Sequence, residues 1–217
     1  MFIMRFKESD KCFSIDYDVS DAYNIKLADP VCVKEWYGIT NREIYLNYDI
    51  NDYLININLL IIQWNNEDEE KNIPVKDRIP IKIFINSNGG DVNPALNLID
   101  IISVSKTPVY TIGLGNCYSS GGLIFLAGHK RFVFENTMFL LHDGYLGEMN
   151  TTSKALDKFE FTKKLEEKIK NLVLSRTKIS SDLYDKQYRN DWYIFSNEMI
   201  ELGIADTIVS DINQIFE

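Results

Sequence analysis

Histidine and cysteine are scarce in this 217-residue sequence: two histidines, His129 and His142, and three cysteines, Cys12, Cys32 and Cys117. The cysteines are odd in number, widely spaced and never in a CxxC pair. That excludes a disulfide framework and a zinc site, and it points to a reducing compartment. Cations are in deficit too, with 23 Lys and Arg against 32 Asp and Glu and a formal net charge of −9. Such a balance lacks the positive field that phosphate backbones attract, which argues against a nucleic-acid partner. No apolar run approaches the roughly 20 residues of a membrane span, so no membrane association is expected. The opening MFIMRFKESDK has no apolar core followed by a small-residue cleavage site. No signal peptide is expected, and the chain reads as cytoplasmic.

What the sequence does contain is a globular composition. Hydrophobic residues make up 45% and aromatics 12%, too many for a disordered chain. The length fits one domain with a sizeable core. Residues 1–41 lack periodicity and read as short strands or an arm. From Arg42 the pattern sharpens, with a strand over Arg42 to Asn47 and then a helical stripe of Leu54, Ile57, Leu60, Ile61 and Trp64. The polar run Asn65 to Asn72 reads as a solvated surface turn. Ile79 to Asn86 and Pro108 to Leu114 are apolar and β-branched, as buried strands are. Helical patterns follow each of them, at Asn93 to Ile102 and from Ser119. Two short strands, Arg131 to Phe134 and Met138 to Leu141, come next. The alternation predicts βαβ units with parallel pairing, hence an α/β fold. Thr151 to Lys178 is the longest helical pattern, overlong for a domain of this size, and fits either a projecting helix against another subunit or one lying across its own domain. Ser196-Asn197-Glu198 opens a last helix, Gly203 stops it, and Ile204 to Val209 reads as a final strand.

Three constellations could carry chemistry. Asn86-Ser87-Asn88-Gly89-Gly90 lies between a strand and a helix, where paired glycines can bring backbone amides to a developing oxyanion. An ordinary tight turn is the commoner origin of a lone Gly-Gly. Gly115 to Gly122 (GNCYSSGG) repeats the strand-to-helix setting and puts Ser119 where free helix amides favour negative charge. A serine helix cap is the commoner outcome there. Cys117 is a weaker nucleophile candidate, because a thiol on the strand side of the turn is usually buried and inert. A serine nucleophile needs a base near neutral pKa. His129 sits beside Lys130 and Arg131 and reads as a surface residue, whereas His142 follows an apolar strand, where α/β folds place working groups. Among the acids, Asp143 and Asp191 are both candidates to orient it, and local sequence does not choose between them.

At these residues the sequence resembles a known family. Ile81 to Gly90 (IKIFINSNGG), Gly115 to Gly128 (GNCYSSGGLIFLAG), Arg131 to His142 (RFVFENTMFLLH) and Glu201 to Asp206 (ELGIAD) are similar, in order, to the Clp protease proteolytic subunit, ClpP. The resemblance covers roughly Arg42 to Val209. It implies a ClpP/crotonase-like superhelix of ββα units over 42–217, with a projecting handle helix at about 151–178. It also implies a serine endopeptidase that needs no metal or other cofactor, with Ser119 as nucleophile in Gly-x-x-x-Ser-x-Gly, His142 as base, Asp191 as the orienting acid, and the amides of Gly90 and Ser120 as the oxyanion hole. The implied partners are unfolded polypeptides, further copies of the chain in stacked heptameric rings, and a Clp ATPase.

The sequence departs from the family at several points. Asn88 replaces the proline of Ser-Pro-Gly-Gly, and Tyr118 stands where the family has a small residue. Asp143-Gly144 replaces Gln-Pro, and Arg189-Asn190-Asp191 replaces Asp-Arg-Asp, losing a charge pair associated with ring assembly. These departures fit a divergent or phage-type member. Three other roles share the motifs: a phage capsid (prohead) maturation protease, a catalytically silent ring subunit, and acyl-CoA chemistry on a crotonase-like fold. The complete Ser/His/Asp set disfavours the last two.

Overall fold

The computed structural model describes residues 29–144 and 151–216. Helix α1 (Pro30–Thr40) leads into strand β1 (Glu43–Leu46), helix α2 (Leu54–Glu70), strand β2 (Ile81–Ser87) and helix α3 (Val92–Val104). Strand β3 (Val109–Tyr118), helix α4 (Ser119–Ala127) and strands β4 (Lys130–Val133) and β5 (Met138–Leu141) follow. The chain ends with helices α5 (Thr152–Arg176) and α6 (Ser181–Gln187), strand β6 (Trp192–Phe195), helix α7 (Ser196–Glu201) and strand β7 (Thr207–Ile208). The sheet order is β1-β2-β3-β4-β7, all parallel, as the alternation predicted.

The central strand β3 serves two neighbours in turn. Its first half, Tyr110 to Gly113, pairs with β4. Its second half, Asn116 to Tyr118, pairs with β5, which is antiparallel to β6. The change coincides with a register shift against β2 between Ile85 and Ser87. There the Asn86 side chain fills the gap, accepting from the Asn116 N–H at 3.0 Å. A Cβ on Gly115 would stand 2.7 Å from that same oxygen, so glycine is what lets the strand bend around it.

Burial explains the helices. Ile81, Ile83 and Ile85 of β2 are fully covered, and each contributes about 1.5–3 kcal/mol of transfer free energy. The stripe of α2 (Leu54, Ile57, Ile61, Trp64) and that of α3 (Ala95, Leu98, Ile99, Ile102) close over the same core. Helix α4 is buried from Ser120 to Ala127 on every side, so it carries no polar face. Helix α5 is about 38 Å long at 1.5 Å per residue. Its C-terminal half packs on the core through Leu165, Ile169, Leu172 and Val173, while Leu156, Phe159 and Phe161 stay exposed.

Three expectations need correction. Residues 30–40, read as short strands or an arm, are helical, while residues 1–28 lie outside the described residues. The run Asn65 to Asn72, read as a surface turn, mostly continues α2 to Glu70. The cause is Asp68, which is 1% exposed and holds Arg42 through two bonds of 2.6 and 2.8 Å while accepting from Thr107 Oγ1 at 2.8 Å. The Arg42 guanidinium keeps the Asp68 carboxyl below the usual carboxylate range. Helix α6 and strand β6 were not anticipated, and the expected last strand shortens to Thr207–Ile208.

Candidate active site

Ser119 is the first residue of α4, directly after β3, and has φ of +51°. Non-glycine residues rarely adopt this left-handed region, and such strain concentrates where a side chain must be presented rather than packed. The turn after β2 lies hard against it. A Cβ on Gly89 would stand 2.6 Å from Ser119 Cβ, 2.9 Å from the Tyr118 carbonyl oxygen and 3.3 Å from Ser119 Oγ, at φ of +100°. Only glycine permits that approach.

The Gly89-Gly90 backbone is oriented by Ile50. The Ile50 N–H donates to the Gly89 oxygen at 2.8 Å, and the Asp91 N–H donates to the Ile50 oxygen at 2.9 Å. Together these form a parallel bridge between Ile50 and Gly90. In such a bridge the two bonds use the residues flanking Gly90, so the N–H and C=O of Gly90 itself turn to the opposite side. On that side Ser120 Oγ donates to the Gly90 oxygen at 3.0 Å. The N–H of Ser120 belongs to the first turn of α4, whose amides have no partner within the helix. Ser87 secures the turn from within, donating to the Tyr48 oxygen at 2.7 Å and accepting from the Gly89 N–H at 3.2 Å.

The remaining groups arrive by strand register. Tyr118 pairs with Leu140, and Leu140 pairs with Tyr193. Ser119 and His142 therefore leave the same ends of adjacent strands. Leu141 pairs with Trp192, which sets His142, one residue beyond β5, opposite Asp191, one residue before β6. His142 Nδ1 lies 3.9 Å from Asp191 Oδ1, with the two side chains 14% and 61% exposed. That distance exceeds a hydrogen bond but holds the carboxylate on the Nδ1 side of the ring.

The competing candidates are engaged elsewhere. Asp143 lies near the Tyr188 hydroxyl, whose pKa burial, with Glu166 and Asp143 adding to it, pushes up to about 12. His129 is exposed, as read from sequence, and its Nδ1 accepts the Val109 N–H at 2.9 Å. The ring edge that packs on β3 is desolvated, and this, with Arg176 adding to it, lowers its pKa. Cys117 is fully buried, and burial pushes its thiol far up, as an inert cysteine requires. Sequence reasoning missed Ile50. It fixes the glycine turn from forty residues away through backbone atoms alone, so its side chain carried no signal.

A parallel sheet whose central strand hands over to a serine-initiated helix, with histidine and aspartate on the next two strand ends and a long helix leaving the core, defines a ClpP-type α/β fold. A ClpP1 variant from Listeria monocytogenes superposes with a TM-score of 0.68 at 24% identity, covering 84% of this chain and 99% of that one. The Clp protease family model matches residues 39–211, and the chain belongs to that family. Its relatives include the ATP-dependent Clp protease proteolytic subunit 2 of Treponema pallidum, 30% identical over 132 residues, and that of Treponema denticola, 30% identical over 140 residues. These stretches are 60% and 64% of this chain and span about two thirds of each relative, 66% and 70%. Among the described residues no helix is long and apolar enough to cross a membrane.

Proposed function

We propose that this chain is a serine endopeptidase of the ClpP type that hydrolyses unfolded polypeptides. The observation that carries the reading is the meeting of a strained Ser119 with the Gly89-Gly90 turn on one side and the ends of β5 and β6 on the other. Ser119 Oγ attacks the peptide carbonyl carbon while His142 Nε2 takes its proton. The carbonyl oxygen becomes an oxyanion and accepts from the N–H groups of Gly90 and Ser120. His142 returns the proton to the leaving amine as the C–N bond breaks, which leaves an acyl ester on Ser119. Water then attacks the ester, with His142 again as base, and restores the serine. Asp191, on the Nδ1 side, orients the ring and stabilises the imidazolium.

The chemistry needs neither metal nor cofactor; in the Clp scheme a partner ATPase consumes the ATP. The exposed Leu156, Phe159 and Phe161 on α5 suit burial against another copy of the chain, as in stacked rings. Ser119→Ala, compared with Ser120→Ala, tests the assignment on an unstructured fluorogenic peptide. Ser119→Ala abolishes cleavage while the native mass of the assembly persists. Undiminished cleavage would transfer the role elsewhere.

A further inference from the structure

Tyr118 stands directly before the serine, at a position where the family has a small residue. It is the last residue of β3 and keeps an extended backbone, with φ of −103° and ψ of 145°, so its ring stays with the sheet while Ser119 turns into α4. Strand register then places the ring. Tyr118 pairs with Leu140 and Leu140 with Tyr193, and residues directly opposite one another project from the same face of a sheet. That face points away from the core, because the neighbouring row of Cys117, Phe139 and Ile194 is buried on the other side. Adjacent strands lie about 4.8 Å apart, so β3 and β6, with β5 between them, are separated by about 10 Å. The two tyrosine rings close that gap. They meet edge to face, with centroids 5.8 Å apart and planes at 82°, and Leu140 between their strands is left 8% exposed. The Tyr118 hydroxyl donates to Met138 Sδ at 3.6 Å, which ties the ring to β5 as well. A small side chain at this position would reach neither partner.

What this contact holds is β6. The strand has four residues and pairs within the sheet with β5 alone. Ile194 anchors it on the core face, while on the outer face half-exposed Tyr193 is tied to the nucleophile's own strand through Tyr118. Asp191 lies two residues before Tyr193, and His142 two residues beyond Leu140, so the tyrosine pair sits one rung behind the histidine–aspartate pair. The Asp191 side chain is 61% exposed and 3.9 Å from His142. Packing fixes so open a carboxylate little, and its distance from the ring follows from where β6 begins. Displacing a catalytic group by about 1 Å can cost on the order of 10²-fold in rate, so a brace on β6 bears on the chemistry without touching the substrate.

We propose that Tyr118 is a positioning residue for the triad: leaning on Tyr193, it holds the start of β6 so that Asp191 stays on the Nδ1 side of His142. The proposal rests on the reading of Ser119, His142 and Asp191 as nucleophile, base and orienting acid. It is tested by kcat and KM on a fluorogenic peptide and by the rate at which a fluorophosphonate labels Ser119, with the melting temperature read on each preparation. Tyr118→Ala lowers kcat by about two- to tenfold with KM unchanged, the population shift that one aromatic pair can bias. Tyr118→Phe, which keeps the ring, retains the rate. Tyr193→Thr reproduces the loss, and Tyr118→Ala adds nothing to it. The decisive comparison is made in Asp191→Ala, where no carboxylate remains to be positioned. There Tyr118→Ala leaves the residual labelling rate unchanged. Equal slowing by Tyr118→Ala in both backgrounds, a rise in KM in place of the fall in kcat, or full activity of Tyr118→Ala overturns the proposal and leaves the peptidase reading standing. If Tyr118→Ala does not fold, Tyr193→Thr carries the same comparison. No labelling and no cleavage by the unaltered protein overturns both.

Discussion

Replacing Gly90 by alanine links backbone geometry to catalysis more sharply than any side-chain truncation. Gly90 has φ of +142°, where an L-residue carries about 1–3 kcal/mol of strain. The added Cβ would collide with the Ile50 carbonyl oxygen and stand 2.9 Å from Ile50 N and 3.1 Å from Ile50 C. These are backbone atoms, so relief requires parting the bridge. Its two hydrogen bonds, of 2.8 and 2.9 Å, are worth about 1 kcal/mol each. Strain and lost bonds together give a destabilisation of about 3–5 kcal/mol. If the turn yields and the fold survives, the Gly90 N–H no longer faces the oxyanion, and losing one such donor costs about 10²–10³ in kcat. Gly144→Ala is the control, because a Cβ there meets nothing within 4 Å. The assay combines thermal melting with kcat/KM on a fluorogenic peptide. A Gly90→Ala variant with unchanged melting temperature and unchanged kcat/KM would refute the assignment of this turn to the oxyanion hole.

Three further outcomes are expected. Asp68→Asn leaves Arg42 without its counter-charge in a buried pair, so chemical denaturation registers a loss of about 3–5 kcal/mol. In the unaltered protein the folded-state pKa of Asp68 lies below its unfolded value. Its contribution is therefore complete above about pH 4 and is lost as pH falls through the folded pKa, and the acid melting curve of Asp68→Asn lacks that component. Asp191→Asn keeps the fold and lowers kcat by about 10²–10⁴, with KM little changed, as loss of a ring-orienting carboxylate does. Iodoacetamide leaves Cys117 unmodified in the native protein and alkylates it after unfolding, as read by peptide mass, because the thiol is fully buried.

The sheet and the serine turn were legible in the sequence because both rest on local pattern. The β-branched run at Ile81 to Ile85 and the glycines around Ser119 declare themselves within ten residues. Asp68 was not legible. In sequence it stands among acids and asparagines, and only Arg42 and Thr107, 26 and 39 residues away, turn its charge inward. Strand β6 was hidden for a related reason, since its alternation of half-buried Trp192, exposed Tyr193 and buried Ile194 makes sense only beside β5. The placing of Asp191 across from His142, which the resemblance alone had suggested, depends on the register of β5 against β6, and that pairing lies outside any local pattern.

The central claim is that Ser119 is an activated nucleophile, and mapping a fluorophosphonate adduct by mass spectrometry tests it most directly. The adduct is expected on the peptide containing Ser119, retained in Ser120→Ala, absent in Ser119→Ala, and slowed when His142 is replaced by alanine. An unlabelled protein, or a label that persists in Ser119→Ala, would contradict the account.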